Sequence, residues 1–96
     1  MTTNQIWAAI AKYKNLLVGN DIPIKQYPKD QPLIDADPEL AVDTDILAHC
    51  HTMLIQMERL LEQGKIEKAF RWLGFVQGCL WCTGLYTIDD MREDNR

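Results

Sequence analysis

The chain has 96 residues, of which 47% are apolar and 25% charged, and its formal net charge is −4. That length holds a single domain over residues 1–96, and the acidic balance excludes a duplex DNA binder, which carries a dense basic patch. The start, Met1-Thr2-Thr3-Asn4-Gln5, has neither a basic region nor a long apolar run, and the three cysteines are an odd number; the expectation is a cytoplasmic chain with free thiols and no secretory leader.

The first predicted helix covers residues 3–17. Thr2 followed by Gln5 fits a capping box. Ile6, Ile10, Tyr13 and Leu17 form one apolar stripe at helical spacing, widened by Trp7, and Gly19 is the expected stop. Residues 20–37 hold Pro23, Pro28 and Pro32 and cannot be a regular helix. Their apolar residues Ile22, Ile24, Tyr27, Leu33 and Ile34 predict an extended segment packed onto the body.

Asp37-Pro38-Glu39 is a helix start signal, so the second helix is predicted from about 38 to 62. Ile46, Cys50, Met53, Met57 and Leu60 follow a 4-3-4-3 spacing. Leu40, Leu47, Leu54 and Leu61 form a parallel row, which calls for two packing partners. Gly64 marks a tight break, so the third helix, about 65–84, should run back antiparallel to the second as a hairpin. Thr87 caps a last short turn, and Arg92 to Arg96 is expected to fray.

Within the third helix, Ile66, Leu73 and Leu80, with Ala69 and Val76, form the row expected to face helix two. Trp72, Phe75, Cys79 and Cys82 form a second row. Ala69 to Leu85 is too short for a membrane span and contains Arg71 and Gln77, so it is read as a helix buried on both sides. A chain this small covers one such side by itself, which points to an oligomeric assembly. Gly74 and Gly78 sit four apart, with Cys82 four further on. Such spacing permits close helix approach, and mid-helix glycine costs about 1 kcal/mol relative to alanine. Gly74, Phe75, Gly78, Trp81 and Cys82 are therefore the expected subunit interface, against the alternative of ordinary packing on Trp7 or the long loop.

Arg71 has two readings. One is a buried structural pair with Glu58, Asp35 or Asp37; the other is a phosphate-binding fork with Trp72, Tyr13 or Tyr27 stacking on a base. Cys79-x-x-Cys82 lacks the strand context of a redox motif. Zinc would need His49, Cys50 or His51 as further ligands, while helical spacing turns Cys79 and Cys82 away from the row facing helix two. Buried thiols are expected, with no metal and no cofactor. His49 and His51 point in different directions and have no nucleophile beside them, so an exposed or capping role is expected and no catalytic residue is assigned. The chain has no phosphate loop and no dinucleotide fingerprint.

The segment Lys68-Ala69-Phe70-Arg71-Trp72-Leu73-Gly74-Phe75-Val76-Gln77-Gly78, followed by Leu80-Trp81, resembles small phage-encoded helical proteins. The order of elements is similar to that of the phage sponge proteins that counter cyclic-oligonucleotide immune signalling, the anti-CBASS group. The resemblance implies an all-α fold with a short first helix, a long Pro-containing loop and a helical hairpin in a symmetric homo-oligomer. It also implies a non-enzymatic protein that sequesters a cyclic oligonucleotide in the host cytoplasm. Arg71, Tyr13, Lys25, Lys29 and Trp72 are the expected ligand residues, the loop lysines and Tyr13 being placed by chemistry and region. The alternative is a small acidic interaction module that blocks a host enzyme through the Trp72/Phe75 face.

Overall fold

The computed structural model describes residues 1–31, 33 and 42–96, and its regular structure there is entirely helical: α1 Thr3–Gly19, α2 Val42–Glu62, α3 Ile66–Cys82 and α4 Ile88–Asp94. None of these helices is long and apolar enough to cross a membrane. The predicted start of helix two at Asp37-Pro38, and Leu40 of its second row, lie outside the described residues.

Local chemistry sets the helix ends. The Thr2 side chain accepts from the Gln5 amide, and the Gln5 side chain accepts from the Thr2 amide at 2.6 Å, closing a capping box. Thr87 and Asp90 repeat the device at the start of α4. After α2, the Gly64 amide donates to the Leu61 carbonyl and the Lys65 amide to Leu60. That is the Schellman pattern, which needs a left-handed residue; Gly64 supplies it at φ 78°. The end of α1 differs from expectation. Gly19 is still helical, Asn20 caps, and the left-handed position falls on Asp21 at φ 58°. The motif closes all the same, with the Asp21 amide on the Val18 carbonyl and the Ile22 amide on Leu17. Short polar side chains tolerate this region best after glycine.

The core explains the two rows of α2. Leu47, Cys50, Met53, Leu54, Met57, Leu60 and Leu61 are buried, and they pack with Ile6, Ile10, Tyr13 and Leu17 of α1 and with Ala69, Leu73, Val76 and Leu80 of α3. The helix has its two partners within one chain. Lys14 of α1 pairs with Glu58 of α2 at 2.9 Å. Of the expected loop anchors, Ile22 and Tyr27 are half-buried, Ile24 and Leu33 are exposed, and Ile34 lies outside the described residues. The Lys25 amide donates to Thr52 Oγ1 at 3.1 Å, and that hydroxyl donates to the Lys25 carbonyl at 2.7 Å. The Tyr27 hydroxyl donates to Asp45 at 2.8 Å. His51 is buried with Nδ1 against the Ile22 carbonyl at 2.9 Å, so it anchors the loop; the expectation of an exposed or capping histidine is corrected.

Within the single chain α3 is covered on one side only, with Ile66, Phe70, Phe75 and Trp81 exposed. One further expectation changes. The C-terminal segment does not fray. Asp94 accepts from Lys12 Nζ at 2.8 Å, from the Tyr13 hydroxyl at 2.8 Å and from the Tyr86 hydroxyl. The carboxamides of Asn95 and Gln77 pair at 2.8 and 3.2 Å. These bonds tie the end of α4 and Asn95 to Lys12 and Tyr13 of α1 and to Gln77 of α3.

Candidate functional site

The outward face of α3 collects most of the residues singled out from the sequence. At 3.6 residues per turn, Glu67, Arg71, Gly74, Gly78 and Cys82 fall in one line. Phe70 and Trp81 stand on one flank of that line and Phe75 on the other. Arg71, Gly74, Phe75, Trp81 and Cys82 are exposed and Gly78 is half-buried. A methyl group built on Gly74 or Gly78 would meet nothing within 4 Å among the described residues. Packing of these glycines on Trp7 is thereby excluded. They leave a shallow floor between aromatic walls.

Arg71 is corrected from a buried residue to an exposed one. Its expected partner Glu58 is engaged by Lys14, Asp35 and Asp37 lie outside the described residues, and among those described no carboxylate lies within ion-pair distance of Arg71. Toward the described residues its planar fork of donors is open. It lines a cavity of about 370 Å³ with Met1, Ile6, Ile66, Glu67 and Phe70, within the size range of small-ligand sites.

On the Phe75 flank an aromatic run leads from α3 to the loop. The Phe75 and His49 rings meet edge to face at 6.3 Å, and His49 meets Tyr27 in the same way at 6.2 Å. Lys25 Nζ lies 5.2 Å above the Tyr27 ring, a cation–π distance. Burial and the bond to Asp45 push the Tyr27 hydroxyl up to about 12. The run brings Lys25 toward the α3 face, and His49 and Tyr27 become members of it. Sequence reasoning missed this role for His49 because it depends on where the loop crosses α2. Lys29 is exposed on the loop. Trp72 is half-buried against the core with Lys68 Nζ 5.4 Å from its ring, and so sits off the Arg71 line.

Tyr13 does not belong to this surface. It is fully buried; Gln77 donates to its hydroxyl at 2.9 Å, and its ring meets Tyr86 edge to face at 5.4 Å. A ring so enclosed cannot stack on a ligand base. Burial pushes the Tyr13 hydroxyl up to about 12 against the lowering effect of Tyr86 and Gln77, and Asp94 adds to the rise. Burial and Asp94 also raise Tyr86. Both folded-state values lie above the ordinary tyrosine value of 10.0. The neutral hydroxyls thus contribute stability that is complete below that value and lost as pH rises through the folded-state values. Melting temperature is expected to fall between pH 10 and 12, and in Tyr86→Phe to fall less. A flat profile across this interval would contradict the assignment.

The chemistry expected of Cys79 also changes: its thiol meets Cys50 of α2, so it turns toward that helix. Among the described residues no group of three or more His, Cys, Asp or Glu side chains is placed to hold a metal ion.

Fold and surface together define a small all-helical protein with an exposed face of one arginine, two glycines and flanking aromatics. Comparison with protein-family models, with curated proteins and with solved structures gives no match for the chain.

Proposed function

We propose that the chain is a non-catalytic binding protein, a helical hairpin that self-associates through the outer face of α3 and sequesters a phosphorylated ligand of the cyclic-oligonucleotide class. The observation that carries this reading is the position of Arg71: exposed, without a described acidic partner, and in line with two glycines that have open space above them. Guanidinium recognises phosphate through paired N–H donors. Phe75, His49 and Tyr27 offer ring faces and edges of the kind on which bases stack, with Lys25 at the far end of the run. The glycine floor admits a ligand or the backbone of a second copy. In this reading the protein is phage-encoded and acts in the host cytoplasm as a sponge, and no bond is made or broken.

The test is calorimetric titration against a panel of cyclic di- and trinucleotides. Arg71→Ala is expected to keep its stability within about 0.5 kcal/mol, as an exposed substitution does. It should lose affinity about 10–100-fold, the effect of removing a charge-assisted hydrogen bond. Arg71→Lys should recover part of the loss. If the wild type binds none of the panel, the sponge reading fails. The exposed Phe70 and Trp81 would then favour the second reading, an interaction module that docks on a host enzyme.

A further inference from the structure

Cys50 and Cys79 form a thiol pair that the binding role does not use. Cys50 lies twelve residues before the end of α2 and Cys79 thirteen residues after the start of α3. With the chain reversing at Gly64, the two positions come to one level, about 1.5 Å apart along the axes. Both side chains belong to the same apolar core, Cys50 with no exposure and Cys79 partly exposed. Each thiol is the other's electrostatic neighbour, and all three cysteines are free. Packed helices lie about 8–10 Å apart with Cα atoms about 2.3 Å from each axis. Facing Cα atoms are then separated by about 3.5–5.5 Å, a span that overlaps the range a disulfide bridges.

We propose that Cys79 is a thiol-modification site that reacts with low-molecular-weight disulfides and transfers the bond to Cys50, closing a Cys50–Cys79 cross-link between α2 and α3. Cys79 is partly exposed and Cys50 is not, so Cys79 reacts first. Its neighbour Cys50 holds the Cys79 thiol below its ordinary value, while Cys79 and burial push the Cys50 thiol up; thiolate is the reactive form. In the first step the Cys79 thiolate attacks one sulfur of the small disulfide. A mixed disulfide forms at Cys79, and one small thiolate leaves. In the second step Cys50 gives up its proton and attacks the Cys79 sulfur; the Cys50–Cys79 bond forms and the second small thiolate leaves. Two protein thiols are oxidised, one small disulfide is reduced to two thiols, and the two cysteine protons pass to the thiolates or to solvent. The cross-link would lie beside His49 and one turn from Phe75, and would fix the spacing of the two helices that present those rings.

The experiment is incubation with oxidised glutathione followed by non-reducing peptide mapping and a thermal melt. The wild type and Cys82→Ser should both lose two hydrogens, yield a Cys50–Cys79 linked peptide pair and melt at a higher temperature than the reduced protein. Cys50→Ala should stop at a glutathione adduct on Cys79. A cross-link mapped to Cys79 and Cys82, glutathione found on Cys82 with Cys79 untouched, or a wild type that gains no internal disulfide would each overturn the proposal.

Discussion

Asp94→Ala is expected to destabilise the protein by about 3 kcal/mol, a fall in Tm on the order of 15 °C for a domain of this size. The Asp94 side chain is only 12% exposed and accepts from Lys12, Tyr13 and Tyr86. Removing it takes the charged acceptor from two tyrosine hydroxyls, leaving Tyr86 the Asp90 carbonyl at 3.2 Å and the buried Tyr13 the Tyr86 hydroxyl at 2.6 Å. A hydrogen bond to a charged group contributes about 1.5–3 kcal/mol. The substitution also loosens α4, which has no fully buried residue of its own and is held by these bonds, those of Asn95 with Gln77 and the partly buried Met91. Burial raises the Asp94 carboxyl, but the Lys12 ammonium and the two hydroxyls outweigh it and hold the group below its ordinary value of 3.8. A lowered folded-state value means that the carboxylate contributes stability above the ordinary value. That contribution is lost as pH falls through the folded-state value. The Tm difference between wild type and Asp94→Ala should therefore be constant near neutrality and shrink in acid below about pH 4. A variant that melts within a few degrees of the wild type at pH 7 would show that the cluster does not hold α4.

Gly78→Leu separates the assembly role of α3 from its folding. A Cβ built at Gly78 meets nothing within 4 Å among the described residues, so the first carbon of a leucine side chain has room there. Leucine is the better helix former, so the isolated fold should gain about 1 kcal/mol. If a second copy lies across the glycine line, the same side chain fills the floor on which the partner rests. Light scattering of the wild type should then give a mass above that of the monomer, and Gly78→Leu should reduce it to one chain while melting no lower. Equal masses for both proteins, with the variant more stable, would remove α3 from any self-interface. A monomeric wild type would remove the assembly altogether.

Much of the fold was legible because it depends on local rules. The capping boxes at Thr2/Gln5 and Thr87/Asp90 need three-residue spacing and nothing else. The Gly64 stop and the buried rows of α2 and α3 follow from helical periodicity. What was misjudged depends on contacts between distant parts of the chain. The tail looked frayed because its residues are charged, yet Asp94 meets Tyr13, 81 positions away, and Asn95 meets Gln77, 18 away. Arg71 looked buried because its neighbours in sequence are apolar, yet a helix turns each residue by about 100° and its face opens outward.

The same division runs through the candidate site. That Gly74, Gly78 and Cys82 share a line with Arg71 follows from the spacing along one helix. That this line faces outward is a matter of packing, because α1 and α2 together occupy the other side of α3. Packing also decides that Tyr13 is buried beside Asp94 of α4, that Phe75, His49 and Tyr27 join into one run, and that Cys79 meets Cys50. Periodicity fixes which residues lie together on an element. Which of its faces is covered depends on the free energy of packing all the elements at once, and no single segment contains that information.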